Sequence, residues 1–487
     1  MSKKNDGIYD ARSLGKPKML VLGVQHMFAM FGATILVPII TGLDVSTTLL
    51  MAGLGTLLFH LITKFKVPAF LGSSFAFLGG YAAVKALAPE GGDPNAMLPY
   101  ACLGVACAGL VYFILAGVIR AIGVHKVMKF FPPVVTGPII IAIGLGLAPS
   151  AVSNCSTNWF LAFIALAVII VFNIWGKGMM KIVPIILGLL ISYGIGLALY
   201  FTAQANPSLM EAAPWLFTGG AVLDESSKVV SYLPIFDFSK VQTIVSNIGS
   251  GQIFGPEGLI GFPVFWDKTV FGGIDWSNGA VIASSIIAIV PISLATMMEH
   301  IGDISAIGST VGKNYIADPG LHRTLLGDGL ATSLASLFGG PANTTYGENT
   351  GVLALTKVYD PRVIRIAACF ACGISFFPIV SSLIGSIPSC IIGGISFVLY
   401  GMISAIGVRN VVENKVDFTK SRNLIIAAVI LVCALGLGAD TVSFPIGSAT
   451  ITLSPLAVAS IAGIVLNAIF PGKDYSFTTN GKYDGEQ

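Results

Sequence analysis

The sequence predicts an all-α polytopic membrane protein of fourteen transmembrane segments, built as two inverted repeats of seven. Three observations carry that expectation. The 487 residues are 54% hydrophobic and only 10% charged, whereas a soluble domain carries roughly 25% charged residues; most of this surface does not face water. Apolar runs of about 20 residues, the length that crosses hydrocarbon, recur along the whole chain. The lysines and arginines then fall on one side of the alternating loops.

In chain order, residues 1–18 are polar, hold five Lys/Arg and show no cleavage pattern before the first apolar run, so they read as a cytoplasmic tail. The first repeat, 19–201, has runs beginning near Met19, Thr47, Tyr100, Phe130, Trp159 and Ile182. The second, 278–471, has runs beginning near Gly279, Thr324, Val363, Ile387, Asn423 and Pro455. Two more segments, around 68–87 and 341–356, are apolar but interrupted by Ser, Thr, Gly and Glu; each is third in its half. An odd number of segments per half turns the second upside down relative to the first. Between the halves, 202–277 reads as an extracellular loop rich in Pro, Gly and Trp, with seven acids against three lysines. A second cytoplasmic tail covers 472–487.

Charge placement tests the count. With fourteen segments and both termini inside, 23 of the 27 Lys/Arg lie on the cytoplasmic side, the exceptions being Lys85, Lys228, Lys240 and Lys268. An odd count would destroy that positive-inside asymmetry. A net charge of +3 is too small to argue for a nucleic-acid partner. Cys369 and Cys372 form a CxxC inside an apolar stretch, which reads as packing rather than redox or zinc chemistry. No nucleophile–base pair, metal cluster or phosphate loop appears, so the sequence predicts neither an enzyme nor a cofactor.

The interrupted segments read PAFLGSSFAFLGG and PANTTYGENTG. Slid by residue type, Ser73-Ser74-Phe75-Ala76-Phe77 matches Thr344-Thr345-Tyr346-Gly347-Glu348. Corresponding breaks in two halves point to a central solute site. Unwound backbone is tolerated in a membrane only where protein buries it or a wet cavity receives it, and a half-helix that starts there offers free N–H groups and a positive dipole end. The alternative is a pair of short helices kinked for packing.

Only four acids fall inside predicted segments: Glu299, Asp303, Asp328 and Glu348. An acid at mid-helix costs about 2.5–3.5 kcal/mol on insertion scales. Glu299 and Asp303 are four apart and share a helix face; two carboxyls so placed resist double ionisation, which suits a proton-carrying pair. Asp328, five residues after Arg323, reads as an interfacial cap or an arginine partner. His26, beside Gln25, reads as a supporting hydrogen-bond group with a possible part in proton relay. His300 reads as structural and His322 as a loop residue.

The runs QHMFAMFGAT, GSSFAFLGG, EHIGD, GLHRTLLGDGL, NTTYGENTGVLALT and IGVRNVVENKVDFTKSRNLII resemble the nucleobase–ascorbate transporter family, on its uracil-type side, over about Lys18 to Pro471. The resemblance implies fourteen segments in a core domain and a gate domain, with two short antiparallel strands in broken segments 3 and 10. It implies a homodimer in the cytoplasmic membrane that imports a nucleobase with protons. Carried onto this chain, Glu299 and Glu348 look like the carboxyls that bond the base. Phe75 looks like the ring on its face, beside backbone groups of Ser74 and Gly347. Ala33, Tyr346 and Tyr400 resemble the van der Waals lining. Glu299, Asp303, Glu348 and His26 resemble the proton-coupling set. Asp303 stands where some uracil-type members have His and where purine-type relatives can carry Asp, yet Glu348-Asn349 departs from the Gln-Asn of purine carriers. Uracil is the favoured solute; a xanthine or urate carrier, or a passive channel, are the alternatives.

Overall fold

A computed structural model of the chain describes residues 7–89, 91–181, 183–223, 229–437, 442–446 and 449–472. Lys228 and the outer parts of both predicted tails, 1–6 and 473–487, lie outside the described residues. The fold is mostly helical. Among the described residues seven helices are long and apolar enough to cross a bilayer, up to eight if one bent pair counts as a single span. They are Lys16–Thr41, Val45–Ile62, Pro94–Ile122, Pro133–Cys155, Pro184–Ala205, Gly279–Val311 and Ser389–Glu413. Shorter apolar helices cover Trp159–Ile174, Ser421–Gly436 and Pro455–Ile469.

The chain divides into two compact units, one of 1–146, 264–375 and 403–487, the other of 147–263 and 376–402. In the first unit the elements that matter are α1 (Lys16–Thr41), α2 (Val45–Ile62), β1 (Leu71–Ser73), α3 (Leu78–Lys85), α4 (Leu98–Ile122), α5 (Ser293–Val311), α6 (Leu321–Leu337), β2 (Asn343–Thr345), α7 (Gly347–Thr356) and α8 (Pro361–Ser375). Local chemistry sets several ends. Gly42 closes α1 in the left-handed conformation, its N–H bonded to Pro38 O. The Asp44 carboxylate caps α2 by accepting from Thr47 N–H at 2.8 Å, a role Asp fills at helix starts. Lys85, an exception to the charge rule, reaches from α3 to donate to Thr41 O at 3.0 Å.

Glycine lets these helices touch backbone to backbone, as membrane helices do. A Cβ on Gly109 of α4 would lie 2.7 Å from Gly329 O on α6, and one on Gly329 would lie 2.7 Å from Gly109 O. On α2, a Cβ on Gly53 would come 2.6 Å from Ala368 O of α8. The abundance of glycine in the sequence is therefore packing chemistry at these crossings.

From residue 7 the predicted tail is docked. Ile8 N–H donates to Lys357 O and Tyr359 N–H returns to Ile8 O, each at 2.8 Å. The Tyr9 hydroxyl donates to Val311 O at 2.6 Å. Ala11 N–H donates to the Asp360 carboxylate at 2.8 Å, and Arg362 bridges Asp10 and Asp360 at 2.6 and 3.1 Å. The strap thus fastens to the loop that follows α7. His322, expected in a loop, is the second residue of α6, where the preceding Gly320 has φ +100° and turns the chain into the helix.

In the second unit, helices Trp159–Ile174 and Pro184–Ala205 pack together, and Gly393 and Gly394 press against the backbone of Cys155 and Ala162. Part of the predicted outer loop is folded here. It holds a hairpin, Gly220–Leu223 with Val229–Leu233, and the helix Ser239–Gly249. Phe236 stacks on Phe238 at 5.3 Å and meets Tyr193 and Tyr200 edge-on.

Candidate functional site

The two interrupted segments meet as strands. β1 and β2 pair antiparallel, Leu71 with Thr345, Gly72 with Thr344 and Ser73 with Asn343. The ladder continues at both ends: Ser74 N–H donates to Ala342 O at 2.8 Å, and Tyr346 N–H to Phe70 O at 3.0 Å. Each strand is also held by a threonine of the helix before it. The Thr56 hydroxyl of α2 accepts from Leu71 N–H at 2.9 Å, and Thr332 of α6 donates to Asn343 O at 2.8 Å. Asn343 Nδ2 donates to Met51 O at 3.1 Å. Non-helical backbone with no water to bond is costly, and these side chains remove the cost.

Helical turns start where the strands stop, at Phe75 and at Gly347. Those starts match Ser74 with Tyr346 and Phe75 with Gly347, one residue away from the alignment by residue type. The correction follows from the ladder: backbone bonds, not side-chain likeness, set the register. No side chain caps α7, so the N–H groups of Gly347 and Asn349 at its start have no acceptor within their helix. Gly347 is exposed, and a Cβ there would meet nothing within 4 Å. Phe75, Glu348, Glu299 and Asp303 are each half-buried, so part of each side chain remains accessible.

The acids converge on that place. Helix α5 packs on α7 and β2, and Glu299 lies within electrostatic reach of Glu348 and Asp328. Asp303 lies within reach of Glu299, Glu348 and Asp328. The Thr345 hydroxyl donates to Asp303 Oδ2 at 2.9 Å and ties α5 to the strand.

Next to these half-buried residues stands a buried support. His26 is fully buried; Asn349 Nδ2 donates to His26 O at 3.0 Å and lies 3.2 Å from its Nδ1. The histidine therefore holds the residue next to Glu348. The Tyr346 hydroxyl donates to Ser73 O at 3.1 Å and accepts from Thr34 at 3.2 Å, while Ser73 Oγ donates to Thr34 O at 3.0 Å. Tyr346 is thus a brace between strand and α1, with only 4% of its surface exposed. Gly72 makes room for it: a Cβ there would lie 2.5 Å from the Tyr346 ring. Ser74 and Ala33 are buried, the latter completely. Tyr400 is buried within the second unit, beside Ser396 and Ser150.

Sequence reasoning misplaced Asp328. It is neither a cap nor a partner of Arg323, whose Nη1 reaches Ile62 O at 3.4 Å. Asp328 is fully buried, with Oδ2 3.3 Å from His300 Nδ1. The five-residue spacing puts Arg323 about a turn and a half away along α6, near its start, while the acid faces α5. Thr345 and Asn349 were also missed as site residues, although both sit in the NTTYGENTG run. Among the described residues no His/Cys/Asp/Glu group could hold a metal ion.

A family model described as a permease family, Xan_ur_permease, matches residues 17–442. The chain is 37% identical to the uracil permease of Bacillus caldolyticus over 97% of its own length and 96% of that protein's. It is 37% identical to the uracil permease of Bacillus subtilis (strain 168), covering 97% of each. A putative pyrimidine permease of Escherichia coli (strain K12), RutG, is 35% identical over 93% of this chain and 89% of its own. Among solved structures, the transmembrane domain of the cyanobacterial bicarbonate transporter BicA aligns with a TM-score of 0.52 at 15% identity, over 94% of this chain and 99% of that one. The murine anion transporter Slc26a9 aligns at 0.51 and 11%, over 93% and 67%. At such identities these two matches speak for the fold.

Proposed function

This chain belongs to the nucleobase–ascorbate transporter family of permeases, and from that premise we propose that it imports uracil with protons across the cytoplasmic membrane. The observation that carries the reading is Glu299 and Glu348 beside the uncapped start of α7. Uracil is a flat ring with two N–H donors and two carbonyl acceptors. Carboxyl groups take N–H edges, the free N–H groups of Gly347 and its neighbours take a carbonyl, and Phe75 covers a face. The uracil permeases at 37% identity support the choice of base.

Two acids beside a neutral solute are costly to keep ionised together in a low-dielectric site. A proton that enters with the base relieves that cost, which supports symport through Glu299, Asp303 and Glu348 with His26 behind them. Fourteen crossings with both termini cytoplasmic agree with the charge asymmetry. The paired breaks and the odd number of segments per half support alternating access, with the site-bearing core moving as an elevator against a gate that includes Tyr400. The family resemblance supports a homodimer.

The test is radiolabelled uracil uptake in cells that lack their own carriers. Glu299→Gln and Glu348→Gln should each lower uptake at least tenfold; normal uptake by both discards the assignment. A protonophore and a rise in external pH should both depress wild-type uptake, and indifference to both would mark a passive facilitator. One observation favours a second reading: Asp303, bonded to Thr345 beside the site, is the residue type purine-type relatives carry. Xanthine or urate outcompeting uracil in a base panel would establish that reading instead.

A further inference from the structure

The strap that precedes α1 reaches more than the loop after α7. Helix α5 carries Glu299 and Asp303 and ends at Val311; α7 carries Glu348 at its start and ends at Thr356. The last carbonyls of each have no donor further along their own helix. Two consecutive strap residues supply donors to both ends. Ile8 N–H donates to Lys357 O at 2.8 Å, and the Tyr9 hydroxyl donates to Val311 O at 2.6 Å. The Tyr9 ring lies 5.4 Å from that of Tyr359, and the Lys313 ammonium lies 4.7 Å from its centre. Ala11 is completely buried with Val358 and Val363, and Ile8, Leu14 and Met19 pack against them. Gly7 admits the chain at its closest point, since a Cβ there would run into the Tyr359 ring.

Near the strands each helix is already held. Thr345 bonds Asp303 of α5 at 2.9 Å, and Asn349 of α7 bonds His26 O at 3.0 Å. A rod fastened at one point can pivot; fastened at two it cannot. At 1.5 Å per residue Val311 is about 12 Å from Asp303 along α5, and Glu299 is about 6 Å from it on the other side. Each ångström that Val311 drifts about that fastening therefore moves Glu299 about half an ångström the opposite way. Likewise Lys357 is about 14 Å from Glu348 along α7. A binding constellation loses its geometry over displacements of about 0.5 Å, so the second fastening bears on the site although it lies far from it.

We propose that residues 8–11 are a clasp that joins the far ends of α5 and α7 and so fixes the spacing of Glu299 and Glu348, with Tyr9 as its positioning residue. This rests on the reading of those two acids as solute-binding groups. The coupling runs both ways: a clasp that favours the bound solute is itself favoured by bound solute. Its size is bounded, because a clasp contributes no more to binding than its own bonds are worth.

The experiment uses the full chain purified in detergent. Tyr9→Phe keeps the ring and deletes the bond to Val311 O; Ile8→Pro deletes the N–H that holds Lys357 O. Each should weaken equilibrium binding of uracil roughly three- to tenfold, the range of one hydrogen bond. In uptake the change should appear as a raised KM with Vmax near that of wild type. Hydrogen exchange gives a second readout. Without solute, both variants should speed exchange along α7 and the last turns of α5, with α4 and α6 unaltered. In wild type, saturating uracil should add protection to the Ile8 amide. Unchanged affinity in both variants overturns the proposal, as does a fall in Vmax with KM unmoved, which marks a purely structural role. Faster exchange confined to residues 7–14, or no added protection of Ile8 by bound uracil, overturns it too. Should Ile8→Pro not fold, Tyr9→Phe decides alone. The exchange comparison between variants needs no solute, so a wild type that binds no uracil would count against the proposed function, with the clasp still judged by exchange.

Discussion

At the scale of single residues the site depends on small groups in fixed places. Tyr346 holds Ser73 and Thr34 through one hydroxyl. Tyr346→Phe removes a buried hydrogen bond worth about 0.5–1.5 kcal/mol and should weaken uracil binding roughly three- to tenfold, measured by equilibrium binding to purified protein. Gly72→Ala should do more harm, because its Cβ meets the same ring at 2.5 Å; uptake should fall below a tenth of wild type while the protein still reaches the membrane. Glu299 and Glu348 are legible in sequence because an acid amid apolar residues is conspicuous whatever the fold. The pairing of Asp328 is not, since its partner His300 comes from another helix and an arginine stands nearby as a decoy. Tyr346 stands out in the interrupted run, but its bracing part was not legible, because nothing in the sequence says that Gly72 lies under its ring.

Among the elements, α7 combines an uncapped start with an open position at Gly347. Gly347→Ala adds a methyl that touches no protein atom, so its melting temperature in detergent should stay within a degree or two of wild type. Uracil affinity should fall several-fold all the same, since the methyl occupies space beside the N–H groups offered to the base. Unchanged affinity would show that the solute does not approach α7 there. The strands themselves were illegible from local pattern. Three residues give no alternation to detect, and Gly72 and Asn343 are poor strand formers. The interruption was readable, since Ser, Thr, Gly and Glu do not belong in a plain lipid-facing helix. The pairing of the breaks came through family resemblance. The long apolar helices were the easiest to read, and their ends shifted by a few residues where Asp44 and Gly42 fix them.

For the molecule as a whole, composition alone revealed the membrane class, while the docked strap at residues 7–14 was hidden in what looked like a polar tail. Asp360, 4% exposed, accepts from Ala11 N–H and from Arg362; Asp360→Ala should lower stability by about 1–3 kcal/mol, read as earlier unfolding in detergent. Asp10 is different. The Arg12 N–H, and then the Arg362 guanidinium, hold its carboxyl below the ordinary value of 3.8. A depressed folded value means its contribution is present at neutral pH and is lost as pH falls below 3.8 through that value, so Asp10→Asn should lower melting slightly at pH 7, by a difference that shrinks in stronger acid. A further consequence concerns how the chain is made. The partner of Ser73 is Asn343, so a ribosome working at about 5–20 residues per second needs on the order of tens of seconds after β1 emerges to deliver β2. Throughout that interval the nascent protein carries a strand whose edge has no companion, inside or beside a bilayer that supplies none. Halves expressed as separate polypeptides would meet the same demand, and only their reunion would complete the sheet.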